Sequence, residues 1–540
     1  MSPRSGSGWQ LVAILIAFLV MLPVLALVSF AAQGSPGLWS HLFRNVLASA
    51  LGQTIILLSG VGVIVASIGT VTAWLIAGFD FPGRRILGWA LLLPLAVPTY
   101  IIAYAYLDIL HPIGPVQTLL RDLLGYDSPR DFRLPDIRSM TGCILLLGFV
   151  LYPYVYLPVR ALFATQAANL LEASRTLGAG PLRVFWKIVL PLARPAIAAG
   201  IALALMETLN DIGAAEFLGV RTLTVSVYST WLNRTDLPGA SQIALVMLVI
   251  VVSLVLIERR ARKGQRYAGT ARRHLPLARV RLRGPAAWVA TILCALPVLI
   301  GFVAPASYLV QHAWRRYVFS GIPTGLWSEA LQTALLALIA TFIAVVLGLL
   351  IAAATRLQPG PVTRFSVRVA TLGYAVPGTI LAIGLLPVII FADRQLTGLL
   401  GMWGAAAPQL ILLGSGAALI YAYVARFLAI AVGGIEAGMT RVPQSMDHAA
   451  RSLGQSPAGV FRHIHMPLSR ASMIGAGLLI FVDCVKELPA TLLLRPLNVE
   501  TLATRLYGEA ARGTYEDASI AALLIVLIGM VPVFLLSNRI

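Results

Sequence analysis

Hydrophobic positions in this chain fall in long uninterrupted runs, without the polar punctuation every few residues that a water-soluble helix or strand shows. Runs of about 18 to 25 apolar residues are long enough to cross a bilayer as helices, the form in which every backbone polar group is satisfied internally. In the first part of the chain they cover approximately Trp9 to Ala32, Gln53 to Ala77, Leu87 to Leu110, Thr141 to Phe163, Ala196 to Leu218 and Ile243 to Ile257. Later runs cover Ala286 to Val310, Leu331 to Ala354, Val369 to Phe391, Ala406 to Ile430, Ser472 to Leu494 and Ile520 to Leu536. Pro and Gly recur inside them, as membrane helices tolerate. The pattern predicts an all-α polytopic membrane protein with about 12 transmembrane helices. The first run is read as a retained span, because no small-residue cleavage site follows it.

Composition agrees with a lipid-embedded chain. Of 540 residues, 58% are apolar and 12% are charged, against about 25% charge in soluble domains. Cys143, Cys294 and Cys484 all lie in apolar runs with no CxxC or CxxH spacing, and are read as packing residues. Lys and Arg outnumber Asp and Glu by 41 to 22, and their placement explains the excess. Arg84, Arg85, Arg175, Arg183, Lys187, Arg194, Arg356, Arg364, Arg368, Arg451, Arg462 and Arg470 share one side of the predicted topology. The stretch Glu258 to Gly284 adds ten basic residues and one acid on that side. By the positive-inside rule this side is cytoplasmic, and both termini are expected there. On the opposite side Arg121, Arg130, Arg133 and Arg138 are balanced by Asp122, Asp127, Asp131 and Asp136. Sidedness and contact with anionic lipid account for the basic excess, and no nucleic-acid partner is implied.

The chain also repeats itself. Glu172 to Pro195, EASRTLGAGPLRVFWKIVLPLARP, aligns without gaps to His448 to Ala471, HAARSLGQSPAGVFRHIHMPLSRA, with 11 of 24 positions identical at an offset of 276. Gln53-Thr54 returns as Gln332-Thr333, and Ala96-Val97-Pro98 as Ala375-Val376-Pro377. The order of features predicts two tandem six-span halves, residues 1–258 and 285–540, joined by a basic cytoplasmic linker at 259–284. Polar loops near 166–195 and 436–471 follow the fourth span of each half. Each reads as a short helix stopped at Gly178 or Gly454, where a left-handed residue is cheapest. After a turn at Pro181 or Pro457 comes an apolar face of Val184, Phe185 and Ile188, or Val460, Phe461 and Ile464. Pro191 or Pro467 is then expected to break the chain before the next span. His448, His463 and His465 are read as surface residues of the loop.

These residues resemble the Glu-Ala-Ala loop of ABC-importer permeases, in which that triplet is followed by Gly and later by Ile-x-Leu-Pro. Glu172, Ala173, Gly178, Ile188 and Pro191 match in the first copy; the second keeps Ala449, Gly454, Ile464 and Pro467, with His448 in place of Glu and Met466 in place of Leu. The resemblance implies that Glu172, Ala173, Gly178, Phe185, Ile188 and Pro191, with Ala449, Gly454, Phe461, Ile464 and Pro467, seat two copies of a separate ABC ATPase subunit. It also implies a periplasmic solute-binding protein as partner, and an inner-membrane location. No GxxxxGK[ST] phosphate loop occurs, so this chain is expected to be no enzyme and to hold no cofactor, with ATP used by the partner subunit. More narrowly, METLNDIG at Met206 to Gly213, the stretch Asp483 to Pro496 and TLATRLY at Thr501 to Tyr507 look like bacterial ferric-iron permeases, with fused thiamine permeases as the alternative.

Ionisable residues inside apolar runs are costly in lipid and point to a pathway. The offset of 276 places Glu207 opposite Asp483 and Asp211 opposite Glu487, with Lys486 beside them. Two carboxylate pairs suit passage of a hard cation such as ferric ion; an ion-pair network that sets helix packing, for instance Lys486 with Glu487, is the structural alternative. The sequence does not say which residues contact a metal. An ion-coupled secondary transporter also has repeats and buried carboxylates, but it does not require the paired docking loops.

Overall fold

A backbone in an apolar run has only itself to hydrogen-bond with, and the structure, a computed structural model, is built of helices almost throughout. It describes residues 7–34, 42–165, 180–263, 279–403, 410–440 and 442–537. Among the described residues ten helices are long and apolar enough to cross a membrane, and an eleventh candidate is a pair of shorter helices bent by 95°. The expected twelfth run lies within the helix Tyr515–Ser537.

The bent pair corrects the third expected span. Leu87 to Leu110 is not one helix: Arg84–Ala90 leads through a tight turn at Leu93–Ala96 into Thr99–Ile109. The cause is Pro98, which forces Val97 out of the helical region to φ −105°, ψ 120°. Pro377 interrupts the corresponding run in the second half, between Thr371–Tyr374 and Gly378–Met402.

Two compact units are formed, and they do not coincide with the two sequence halves. One contains residues 1–40, 227–248 and 323–505; the other contains 41–226, 249–322 and 506–540. In the first unit the helix Ser7–Gln33 lies against Leu326–Leu357, Pro361–Ala370 and Gly378–Met402. Ile16, Ala17 and Val20 pack with Ile351, Leu428 and Val432. The approach is so close that a Cβ on Gly384 would stand 2.1 Å from the Pro23 carbonyl oxygen. In the second unit Ala48–Gly78 packs against Met140–Leu151, Pro153–Thr165 and Leu190–Asn210, and Ala304–Ser320 against Tyr515–Ser537. Cys143, Cys294 and Cys484 are buried free thiols. A two-residue parallel pairing, Phe79–Asp80 with Val280–Arg281, ties the end of the linker to the turn after the second span.

Candidate functional site

The fifth and eleventh runs carry the predicted pathway acids, and both are broken where those acids fall. Leu190–Asn210 stops, Asp211 and Ile212 leave the helix, and a new short helix runs Gly213–Phe217. In the other unit Met466–Val485 stops, Lys486 to Leu488 intervene, and Pro489–Leu494 begins. Neither run is therefore the single span expected for Ala196 to Leu218 or Ser472 to Leu494. A helix start leaves backbone N–H groups without partners, and each break supplies a carboxylate to accept from them. Asp211 Oδ1 accepts from Ala214 N at 2.7 Å, while Thr99 Oγ1 donates to its other oxygen. Glu487 accepts from Ala490 N at 2.9 Å and Thr491 N at 3.0 Å.

The two sites differ in how the carboxylate charge is met. Thr99 begins the helix after Pro98 and reaches Asp211 through its hydroxyl. Its counterpart in the repeat is Gly378, whose added Cβ would fall 2.6 Å from both Arg426 Nη1 and Glu487 Oε1. The missing side chain makes room for a buried ion pair, Arg426 Nη1 to Glu487 Oε1 at 3.0 Å. Thr491 Oγ1, 2.6 Å from Tyr423 Oη, donates to Glu487 Oε2 at 2.7 Å. Lys486 pairs with Asp483 at 2.9 Å, not with Glu487. Glu207, one turn before Asp211, is half-buried. Among the described residues no group of three or more His, Cys, Asp or Glu is placed to hold a metal ion.

A second device repeats between the units. After each break the chain returns to the second or eighth span, where Gln53 Oε1 accepts from Arg221 N (2.9 Å) and Thr54 Oγ1 from Leu223 N (3.0 Å). Gln332 and Thr333 do the same for Glu500 N (3.2 Å) and Leu502 N (2.9 Å). The Gln-Thr echo in the sequence is thus a pair of backbone clamps.

Glu172, Ala173 and Gly178 lie outside the described residues. In the second loop, Gln444–Ser452 is a helix whose end is closed by Gly454 N to Arg451 O and Gln455 N to Ala450 O, with Gly454 at φ +83°. Pro191 and Pro467 do not break the chain. Pro181–Val184 runs on through a π-helical turn, Phe185–Val189, into Leu190–Asn210, and Pro457–Val460 through Phe461–His465 into Met466–Val485. A proline in a regular helix clashes with the carbonyl four residues earlier, and widening the preceding turn relieves this. Leu190 N and Met466 N accordingly bond five residues back, to Phe185 O and Phe461 O.

The phenylalanine faces also point elsewhere than expected. Phe461 is buried with Leu349, Ala352, Ile435 and Met439, and Phe185 lies against Trp74; Ile464 and Ile188 are half-buried beside them. His465 is buried near Asp447, 2.9 Å from Oδ1, whereas His448 and His463 are exposed. The exposed apolar stripe of the second loop is Met446, Ala449 and Leu453, spaced i, i+3, i+7, with Leu453 at 83% exposure.

Arg426 and Gly378 were missed by sequence reasoning. Arg426 is the only charged residue in the run Ala406 to Ile430, which is the signal that finds it. Asp393 is another, buried and accepting from Ile411 N, Leu412 N and Leu413 N.

Residues 67–266 match the family described as binding-protein-dependent transport system inner membrane components. The chain is also 31% identical over 264 residues to PhnU of Salmonella typhimurium, named for 2-aminoethylphosphonate transport, a match covering 47% of this chain and 91% of that protein. The chain belongs to this permease family. Along nearly its whole length, 99% of both chains, it is 25% identical to the Fe(3+)-transport system permease protein FbpB 2 of Haemophilus influenzae. The molybdenum transport system permease protein ModB of Escherichia coli is 29% identical over 208 residues, 37% of this chain and 87% of that one. This protein is a fused, multi-pass inner-membrane permease of the ABC-importer type.

Proposed function

We propose that this permease admits ferric iron, delivered by a periplasmic binding protein, with two ABC ATPase subunits acting on its two cytoplasmic loops. The observation that carries the choice of solute is the full-length similarity to the Fe(3+)-transport permease, which shares both halves. Similarity to the 2-aminoethylphosphonate permease extends over one half's length at higher identity and supports a phosphonate as the second reading.

The ATPase contact is assigned to the exposed stripe Met446, Ala449 and Leu453 and, by sequence alignment alone, to Leu170, Ala173 and Leu177 with Glu172 and Gly178 in the first loop. Phe185, Ile188 and Pro191, like Phe461, Ile464 and Pro467, join each loop to its span. From Pro181 to Asn210 is 30 residues of continuous helix, about 45 Å at 1.5 Å per residue. A push on the loop therefore arrives at the break beside Asp211; Pro457 to Val485 does the same for Glu487. Glu207 and Asp483 are the acids proposed to face the solute, while Asp211, Lys486 and Glu487 hold the breaks that the solute passes. Both termini are assigned to the cytoplasm by the charge distribution.

The test is uptake in proteoliposomes containing the permease, its ATPase and its binding protein, with ferric ion and 2-aminoethylphosphonate compared. Ferric uptake that needs ATP is the expected result; uptake of the phosphonate alone, or uptake driven by an ion gradient without the ATPase, sinks the proposal. Leu453→Asp is expected to lower uptake by about 30-fold or more, the loss typical of an interface hot spot, while leaving the permease folded.

A further inference from the structure

The basic linker ends in a built structure. Leu282 N donates to Asp80 O at 2.9 Å, extending the pairing of Val280–Arg281 with Phe79–Asp80. Thr291 Oγ1 donates to Pro82 O at 3.0 Å, bracing the start of the seventh span against the turn after the second. Gly284, at φ +58°, turns the chain from the strand into the helix Pro285–Val298. These elements enclose an open cavity of about 610 Å³ lined by Asp80, Phe81, Pro82, Arg281, Arg283 and Trp288, among others.

Charge around this cavity is lopsided. Asp80 is its one acid, and it is already paired with Arg84, Nε to Oδ1 at 3.2 Å. Arg84 also donates to Ile76 O, and Arg160 to Gly88 O. The guanidinium groups of Arg85, Arg279, Arg281 and Arg283 have no hydrogen bond or ion pair among the described residues. Burial first, and then Arg84, with Arg160 and Arg85 adding to it, lower the Arg279 pKa against the pull of Asp80, so the cations crowd one another.

The seventh span leaves this cradle with one face bare. Trp288, Ile292, Leu296 and Leu299 are all exposed, at spacings of four, four and three, which is one stripe of the helix. On the short helix beside it, Ile86 and Trp89 are exposed as well. Tryptophan at the edge of such a stripe is the side chain that favours the lipid–water boundary.

We propose that this cradle is a headgroup site for one anionic phospholipid of the leaflet on the linker side, with an acyl chain along Trp288 to Leu299. Arg281 and Arg283 hold the phosphodiester, and Arg279 and Arg85 add positive potential. The apolar stripe favours lipid over a free phosphate, because it continues the cradle along a membrane-spanning helix where acyl chains are the neighbours.

Native mass spectrometry of the full-length permease, released from bilayers of phosphatidylglycerol and phosphatidylethanolamine, tests this without solute or ATP, and so independently of the transport proposal. One phosphatidylglycerol should survive delipidation in preference to phosphatidylethanolamine. Arg281→Gln with Arg283→Gln should weaken its retention by roughly 30-fold, or about 2 kcal/mol for two basic residues near an anionic headgroup. The Lys pair, Arg281→Lys with Arg283→Lys, should retain it and serves as the folded control. Ile292→Ser should weaken retention of the lipid but not binding of inorganic phosphate. Equal retention of both lipids, or wild-type retention by the Gln pair, overturns the proposal. So does complete displacement by inorganic phosphate with no effect of Ile292→Ser, which would make the site one for a free phosphate.

Discussion

A carboxylate buried at a helix break is held by what it accepts, and Glu487 shows how tightly. Its oxygens take two backbone N–H groups, one hydroxyl and the Arg426 guanidinium, leaving little of its charge unanswered. Removing one partner strands the other, so Arg426→Met or Glu487→Gln alone is expected to cost about 3–5 kcal/mol. The double variant should cost clearly less than the sum, because no unpaired charge remains. Thermal unfolding of the purified permease in detergent checks this, and strict additivity would show that the two residues are not coupled. Gly378→Ala puts a methyl group into the same site, 2.6 Å from both charged atoms. A destabilisation of about 1–3 kcal/mol is expected, read as a lowered Tm.

At the scale of elements, the helix that leaves each repeated loop is continuous to the break. The π turns at Phe185–Val189 and Phe461–His465 absorb Pro191 and Pro467. Pro467→Ala should therefore leave uptake intact and change stability by less than about 1 kcal/mol, since the carbonyl it avoids is already displaced. Inserting one alanine after Leu468 rotates the loop by about 100° against the break. Uptake should fall to background while ATP hydrolysis by the docked ATPase persists; loss of both would mean that the insertion had removed docking itself. The prolines misled sequence reasoning for a definite reason: a helix stop and a helix widened by one turn present the same residue.

For the whole molecule the decisive fact is that each compact unit draws on both sequence halves. Ser7–Gln33 packs with helices of residues 323–505, and Ala304–Ser320 and Tyr515–Ser537 with one another in the unit that holds residues 41–226. Neither half completes a unit alone. Residues 1–263 and 279–540 expressed separately are expected to be degraded or aggregated, while their co-expression restores a protease-resistant complex. Size-exclusion chromatography with limited proteolysis reads the outcome, and a stable, monodisperse N-terminal fragment would contradict it.

Much of this was written in the pattern of residues. Long apolar runs leave the backbone no hydrogen-bonding option but helix; the 276-residue offset carries the duplication and the pairing of Asp211 with Glu487, and the Gln-Thr echoes recur at 279. What no linear pattern contains is direction. Whether Phe461 faces a partner or the bundle, whether Lys486 takes Asp483 or Glu487, and whether Ser7–Gln33 stays with its own half depend on which helices are neighbours. Only packing decides that, because a helix surface in lipid has no polar face to announce its side. The two repeats already differ in sequence where Thr99 stands against Gly378, and packing turns that difference into chemistry: the Thr99 hydroxyl answers Asp211, whereas Glu487 takes the Arg426 guanidinium besides the Thr491 hydroxyl.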